Sequence, residues 1–398
     1  MTETALSRPG AFGTAACTLL VLITGTNLPS PLYGAYAERF GFSTLTVTLI
    51  VAVYAAVIVP SLLLAGPLAD VAGYRRVVRP ALLLALAGTL LFAFVPGTGW
   101  LFAARIAQGL AVGAATPALT AALLATAPPG GQGRASLLAS TMTAGGSGLG
   151  PLLAGLLTAF APLPLKLPYL AEAAALVLAL LATARIPGAR SGRRWRRTVP
   201  RVPPGARGRF AVAALVTFLA WGVAYLMLAL APSYVSSRLH TSSPAVGGAT
   251  AGLLLICAAG IQFALRRWPA RRAESLGLAG LAIGLAGLVL AGRAGSVALL
   301  LASVCVAGAG QGLAFMGAAR QAGQAAPPDQ RAGVTAAFWM ASYLGGGLPV
   351  TFAGLLSVRV GLVPAVNVFA IILGAGCLLA CAVVRMAIPA RDPLAASD

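Results

Sequence analysis

The stretch LTVTLIVAVYAAVIVPSLLLA, residues 45–65, contains no charged side chain and consists largely of leucine, valine, isoleucine and alanine. A helix that crosses the hydrocarbon core of a bilayer needs about 20 apolar residues, and this stretch is long enough. Its apolar residues run continuously instead of alternating with polar ones, which argues against a strand of a membrane β-barrel. Residues 45–65 therefore predict a transmembrane helix.

Further stretches of the same kind fill nearly all of the 398-residue chain. Hydrophobic residues make up 59% of the sequence and charged residues only 9%, whereas a soluble domain has about 25% charged residues. The predicted spans are 12–33, 45–65, 77–96, 99–125, 135–160, 168–186, 210–231, 245–265, 274–292, 296–319, 332–357 and 362–384. Because backbone groups in lipid must be satisfied within their own segment, we predict an all-α membrane protein with twelve transmembrane helices.

The chain has a net charge of +20, and the distribution of its basic residues along the sequence indicates their role. Most of the 28 Lys and Arg residues fall on one side of the predicted membrane. The exceptions are Arg39, Lys166, Arg238, Arg293 and Arg359 on the other side and Arg105 inside a span. The positive-inside rule then predicts a multi-pass protein of the cytoplasmic (inner) membrane with both termini in the cytoplasm. The basic charge reflects topology, and we expect no nucleic-acid partner.

The chain divides into two halves that resemble each other. Residues 187–208, rich in arginine, proline and glycine, predict a cytoplasmic linker between a six-helix bundle at 1–186 and a second at 209–398. Short motifs recur at offsets of about 200 residues, for example Gln108-Gly109-Leu110-Ala111 and Gln311-Gly312-Leu313-Ala314. Internal repeats of this kind are typical of secondary transporters, whose substrate site lies at the interface between the repeats.

The connection between the second and third spans contains a glycine- and arginine-rich motif, which predicts a short loop. Its key residues are Gly66, Asp70, Gly73, Arg75 and Arg76. The motif resembles the cytoplasmic loop signature of the major facilitator superfamily, and the resemblance implies the fold of that family, two pseudo-repeated six-helix bundles. The glycines favour a tight turn, and the aspartate can pair with a helix N-terminus or an arginine. We expect an inner gate here.

The fourth span carries residues that resemble another motif of the same family. Arg105 and Gln108 lie on one face of this span, and an arginine inside a span costs about 2.5–3.5 kcal/mol on insertion scales. Arg105 is therefore predicted to face a cavity or a partner, although it could also snorkel to the outer surface.

The fifth span contains a cluster of small residues with one proline: Gly146, Gly150, Pro151 and Gly155. This cluster resembles the Gly-Pro motif found mainly in exporters of the superfamily. It predicts close helix packing and a bend in the helix. A generic packing face of small residues is the alternative interpretation.

The spans that line the centre of this family's fold offer aromatic and amide side chains for a substrate cavity. The candidates are Asn27, Tyr33, Gln108, Trp221, Tyr225, Gln311, Phe315, Trp339 and Tyr343. Such surfaces suit a bulky, amphipathic or weakly polar small molecule, although aromatic residues also pack helices together. Anionic substrates are disfavoured, since Arg105 is the only basic residue among the predicted cavity walls.

Glu172 is the only acidic residue that the predicted topology places well inside a span; Glu274, at the start of the ninth span, is assigned to the cytoplasmic side. Glu172 should lie at the same depth as Arg105, so we expect the two to pair or to share a proton relay. Proton-coupled exporters of the family often carry an acid in the first helix, where this chain has Asn27. A uniporter therefore remains an open alternative.

The sequence has no phosphate-binding loop of the Gly-x-x-x-x-Gly-Lys type, no metal-ligand cluster and no nucleophile with its base. We therefore expect neither an enzyme nor a bound cofactor or metal. The preferred function is alternating-access export of a small organic compound or drug in exchange for protons, by a monomer in the lipid bilayer. Uptake or facilitated transport of a sugar or other metabolite is the alternative, and a receptor that transports nothing is a third.

Overall fold

The computed structural model describes residues 10–128, 131–186, 200–239, 244–325 and 331–387. These residues form helices with short connections, and no strand occurs among them. The helices are α1 (Ala11–Asn27), α2 (Tyr33–Phe40), α3 (Thr44–Ala72), α4 (Tyr74–Ala93), α5 (Thr98–Ala125), α6 (Gln132–Phe160), α7 (Leu167–Ala182), α8 (Arg207–Leu239), α9 (Pro244–Ala264), α10 (Ala270–Ala294), α11 (Val297–Ala325), α12 (Arg331–Val360) and α13 (Leu362–Ala387). The prediction of an all-α protein is confirmed for the described residues.

Eleven segments of the described chain are long and apolar enough to cross a membrane. The helix α6, at 29 residues, has the length of a twelfth span. The first span is interrupted, because Pro29 and Pro31 lack the N–H groups that would continue α1. A short 3₁₀ turn at Ser30–Leu32 joins α1 to α2, so this span extends to Phe40 and not to residue 33 as predicted.

The predicted loop at residues 66–76 is not a loop. The helix α3 continues to Ala72 and α4 begins at Tyr74, with Gly73 alone between them at φ 90°. Glycine adopts this backbone angle without strain, and it turns the chain within one residue. The gate prediction for Gly66 and Asp70 concerns side chains that lie outside the described part of the structure, and it stays a prediction.

Consecutive spans run in opposite directions, so α1 begins and α13 ends at the same end of the bundle, which we call the termini end. The opposite end is the far end. We call α1–α7 the first group of helices and α8–α13 the second group. Within the described residues, α1 and α4–α7 pack mainly on one another, as do α8, α10, α11 and α13. The predicted linker 187–208 lies largely outside the described residues, and the boundary between the two halves stays a prediction.

The two groups of helices meet through α3 with α12 and α6 with α9. A Cβ atom on Gly248 of α9 would lie 2.6 Å from the Pro151 carbonyl oxygen and 2.7 Å from the Cα atom of Gly155 on α6. Such approach requires small residues on both helices. On α3 and α12, Thr48 contacts Gly354. These contacts all lie in the far halves of their helices.

The glycine cluster of α6 packs in two directions. A Cβ on Gly146 would lie 2.7 Å from the Leu20 carbonyl oxygen of α1, and Gly150 lies against Thr24 on the same helix. Pro151 and Gly155 face α9 instead. The helix continues through Pro151 without interruption. The cluster therefore lets α6 press closely on both groups of helices.

The buried apolar residues show the same asymmetry between the two ends. One hydrophobic cluster runs through the second group and takes in far-end residues of the first, such as Leu32, Ile50 and Leu101. The termini-end residues of the first group, such as Leu19 and Leu119, form a separate cluster. Among the described residues, the far-end halves of the two groups thus share one buried core, whereas the buried residues of their termini-end halves do not.

Candidate functional site

The guanidinium group of Arg105 lies inside the protein, where the side chain is only 3% exposed. Its Nε donates a hydrogen bond of 2.6 Å to the Tyr33 hydroxyl. Its Nη1 donates to the Thr26 carbonyl oxygen at 2.6 Å and to Gln108 Oε1 at 3.0 Å. Hydrogen bonds of this kind, in which the donor is charged, are stronger than neutral ones. Arg105 does not snorkel to the surface in this structure.

The broken first span supplies acceptors for this network. In an unbroken helix the Gly25 carbonyl would accept from the N–H of residue 29, but Pro29 has none. Gln108 Nε2 donates to that carbonyl instead, at 3.2 Å. The carbonyl groups in the last turn of a helix must find partners elsewhere. Arg105 and Gln108, both on α5, thus satisfy the end of α1.

Aromatic rings surround the same guanidinium group. Its Cζ atom lies 5.5 Å from the ring centroid of Tyr33, 5.3 Å from that of Tyr54 and 5.7 Å from that of Phe92. Ring faces attract a cation at these distances, by about 2 kcal/mol or more where water is excluded. The rings therefore compensate in part for the hydration that the buried cation has lost.

A small cavity of about 20 Å³ opens beside Arg105, between the two groups of helices. A cavity of this size holds about one water molecule. Asn27, which donates from Nδ2 to the Ser147 carbonyl oxygen at 3.5 Å, lies at its edge. The lining residues are Asn27, Ser30, Val51, Tyr54 and Arg105 from the first group and Tyr225, Leu228 and Ala229 from the second. Polar side chains of both groups therefore meet at the interface.

The predicted aromatic residues of the second group form one continuous cluster. Ring centroids lie 5.7 Å apart for Trp221 and Tyr225, 5.8 Å for Trp221 and Phe315, 5.6 Å for Phe315 and Trp339, and 5.8 Å for Trp339 and Tyr343. We call these five residues, together with Phe338, the aromatic cluster. Phe338, 5.6 Å from Phe315, is not singled out by the sequence, although it stands next to Trp339.

Two features of the aromatic cluster bear on ligand binding. The Nε1 atom of Trp221 is buried and donates to no acceptor in the described part of the chain. Tyr343 also packs against the hydrophobic cluster of the first group, so the aromatic cluster reaches the interface. Gln311, one helical turn from Phe315 on α11, is likewise buried, at 3% exposed.

Glu172 contacts the backbone of α1. The side chain is 6% exposed, and its Oε1 atom has no hydrogen-bond partner among the described residues. A Cβ atom on Gly25 would lie 2.8 Å from that oxygen, so the carboxyl group rests directly on α1. A second cavity of about 10 Å³ touches Glu172 and Gln108. Glu172 and Arg105 form no ion pair in this structure; they are linked only through Gln108 and Gly25, and the proton relay stays a prediction.

Sequence reasoning misses a second buried acid. The prediction makes Glu274 the first residue of the ninth span and assigns it to the cytoplasmic side, but α10 begins at Ala270, so Glu274 lies inside the helix. The side chain of Glu274 is 0% exposed. The sequence could have indicated this burial, because Glu274 is the first residue of the apolar run that predicts the ninth span.

The residues of the predicted inner gate lie at the termini end. Arg75 is half-buried and Arg76 is exposed at the start of α4, and the Arg76 N–H donates to the Gly73 carbonyl oxygen at 3.1 Å. They lie at the opposite end of the molecule from the packed contacts of α6 with α9. The structure therefore separates the predicted gate from the Arg105 site.

The fold resembles solved transporter structures over nearly its whole length. A peptide transporter in complex with sulfate matches with a TM-score of 0.78 at 15% identity, covering 95% of both chains. A bacterial homologue of the human lysosomal transporter Spinster, solved in an inward-facing and unoccupied conformation, matches with a TM-score of 0.76 at 14% identity, covering 97% of this chain and 100% of that one. The nucleoside transporter NupG matches with a TM-score of 0.73 at 11% identity, covering 95% and 100%.

At these identities the structural matches show the fold alone. No curated protein sequence matches the chain significantly. The family model described as Major Facilitator Superfamily matches residues 15–350, which is most of the sequence. Members of this family are transporters and in general not enzymes. The chain is an integral, multi-pass membrane protein that belongs to the Major Facilitator Superfamily.

Proposed function

We propose that this protein is a secondary active transporter that exports a small organic compound in exchange for protons. It would act as a monomer in the cytoplasmic membrane, with both termini in the cytoplasm. The observation that carries the proposal is the buried Arg105 beside a cavity between the two groups of helices, with the buried acid Glu172 linked to it through Gln108. Buried ionisable groups in membrane helices are costly and mark substrate or proton pathways.

Alternating access is supported by the unequal packing at the two ends. The far end is held by contacts between small residues of α6 and α9 and of α3 and α12. The termini-end residues of the first group form a core of their own, and Cys17 is exposed in that half of α1. Rocking the groups about the central site would close the termini end and open the far end. With the termini in the cytoplasm, the present conformation would face inward.

The termini end would then need a latch for the outward-facing state. The segment 66–76 lies at that end, where α3 meets α4. Its acid, Asp70, would pair with an arginine or a helix N-terminus of the other half when the groups approach. The contact would break again as the end opens.

The aromatic cluster supports a flat, weakly polar substrate. Its rings offer stacking surfaces from three helices, and the buried Trp221 N–H, which has no partner among the described residues, would donate to an acceptor oxygen of the ligand. A buried donor without an acceptor costs free energy, so a substrate with a carbonyl or ether oxygen at this position would bind more tightly. The residues that line the cavity beside Arg105 include no acid, which disfavours a cationic ligand.

Proton exchange is supported by the arrangement around Gly25. Glu172 rests on this residue, and Gln108 binds its carbonyl group. Protonation of Glu172 would remove a buried negative charge. A resulting shift of Gln108 would alter its hydrogen bond with Arg105, which is 3.0 Å long. The affinity for substrate bound beside Arg105 would then depend on whether Glu172 is protonated.

Uptake or facilitated transport is the second candidate. Peptide and nucleoside transporters are among the structural neighbours, so the fold is compatible with substrates of those kinds. Asn27 stands at the first-helix position where an acid would favour proton coupling. Accumulation of substrate on the cytoplasmic side would favour this second candidate.

The test is solute movement in proteoliposomes under an imposed pH gradient, with a panel of neutral aromatic compounds. Wild type is compared with Arg105→Ala and with the control Arg359→Ala, which removes an exposed arginine outside the site. We expect gradient-dependent movement for wild type and the control, and its loss for Arg105→Ala. Equal transport by all three proteins would contradict the proposed site.

A further inference from the structure

Glu274 is a buried acid that the transport site does not use. It lies near the beginning of α10, at the termini end of the second group of helices, and is 0% exposed. Neither Oε1 nor Oε2 has a hydrogen-bond partner in the described part of the chain. A carboxylate ion in such a place would have lost its hydration without receiving any compensation. Its state of protonation therefore needs an explanation.

The side chain lies in the crossing of α10 with α11. A Cβ atom on Gly317 of α11 would lie 2.6 Å from Glu274 Cγ, so only a glycine leaves room for it. One turn further along α11 is Gln321, which is 7% exposed. Its Nε2 donates to the Arg209 carbonyl oxygen at 3.2 Å, whereas its Oε1 accepts no hydrogen bond from the described residues. Among the described residues, Gln321 Oε1 and both carboxyl oxygens of Glu274 are thus buried acceptor atoms without a donor.

Two arginines at this end donate hydrogen bonds to backbone carbonyl groups and not to Glu274. From α11, Arg320 donates to the carbonyl oxygens of Trp268, at 2.6 Å, and of Arg266. From α10 itself, Arg271 donates to the Arg385 carbonyl oxygen of α13. The other charged or titratable residues of the packed elements at this end are Arg207 and Arg209 on α8, Arg272 on α10, and Arg385 and Cys381 on α13. Among the described residues, none forms an ion pair with Glu274.

We propose that Glu274 is a second proton-binding site, occupied while the termini end is open. A proton removes the buried charge, for which the described residues supply no compensating donor. This site lies in the other half of the molecule from Glu172. Loss of the proton would attract Arg271 and Arg320, so release is linked to rearrangement of the connection between α9 and α10.

Infrared difference spectroscopy tests the proposal on the purified, reconstituted protein. The spectrum of Glu274→Gln is subtracted from that of wild type at neutral pH. We expect the variant to lose a carbonyl-stretch band of a protonated carboxylic acid. Loss of carboxylate bands instead would overturn the proposal. Glu38→Gln is the matched control, because Glu38 is exposed and lies at the far end, so its removal should leave the band assigned to Glu274 unchanged.

Thermal unfolding of the same variant gives a second measurement. Gln has the shape of the protonated acid, so Glu274→Gln should keep its Tm within about 2 °C of wild type, as expected for a change of well under 1 kcal/mol. A larger fall in Tm at neutral pH would mean that an ionised, paired Glu274 had been removed. Neither measurement depends on transport, so the outcome is separate from that of the proposed function.

Discussion

The glycine contacts between α6 and α9 lead to a quantitative prediction about the conformational equilibrium. In Gly248→Ala, the new methyl group would lie 2.6 Å from the Pro151 carbonyl oxygen and 2.7 Å from Gly155 Cα. Both distances are well below van der Waals contact, and overpacking of this kind costs about 1–3 kcal/mol. The cost applies only while the two helices touch. The variant should therefore favour the conformation in which the far end is open.

A cost of about 1–3 kcal/mol changes the equilibrium constant by roughly 5–150-fold. The assay is labelling with a membrane-impermeant maleimide, with the modified peptide identified by mass spectrometry. A cysteine introduced as Ser30→Cys, in the closed part of the interface, reports on the minor state, and its labelling rate should rise by that factor. Labelling of the native Cys17, exposed in the termini-end half, should fall.

The matched control for this experiment is Gly260→Ala. It makes the same substitution on the same helix, where a new Cβ would meet no atom of the described chain within 4 Å. Labelling of both cysteines should then equal that of the unsubstituted protein. If Gly248→Ala also leaves both labelling rates unchanged, the inference that the far end opens during the cycle is refuted.

Three further predictions concern the site. Tyr33→Phe removes the 2.6 Å bond to Arg105 and should lower the free energy of unfolding by about 1–2 kcal/mol, measured by denaturation in mild detergent; no loss would mean that the bond contributes little. Glu172→Gln should abolish the pH dependence of transport but allow substrate exchange. Gly25→Ala should have the same effect, because the new methyl group would displace the Glu172 carboxyl group. If both variants keep the pH dependence, Glu172 is not the proton-binding group. Trp339→Ala should weaken binding of aromatic substrates by about two- to tenfold in a fluorescence titration, since a lost ring contact is worth roughly 0.5–1.5 kcal/mol. Unchanged affinity would place the substrate elsewhere.

The sequence is sufficient to predict the spans, because each is a continuous apolar run and lipid leaves only the helix as a solution. The position of Arg105 inside a span and the proximity of Trp221 to Tyr225 also follow from helical spacing. The prolines after Asn27 indicate a break in the first span, but the sequence does not show which side chains bind the carbonyl groups that the break leaves free. Gln108 and Arg105 do so, and this requires the packing of α1 on α5.

Other features depend on tertiary structure. The glycine-rich segment after the second span predicts a loop, but its alanine and leucine residues continue the helix up to Gly73. The expected ion pair of Arg105 with Glu172 does not form, because each group contacts the backbone of α1 instead. Glu274 is the first residue of an apolar run, which favours a position at the membrane surface. Its burial follows from the close packing of α10 on α11 at Gly317, which the sequence does not reveal.

Exchange of substrate for protons is tested most directly by measuring both fluxes at once. Proteoliposomes containing the protein are loaded with a transported aromatic compound and a pH indicator, with no pH gradient at the start. Efflux of the compound should drive protons inward, and Glu172→Gln should uncouple the two movements. Efflux of the compound without any change of internal pH in wild type would contradict the account.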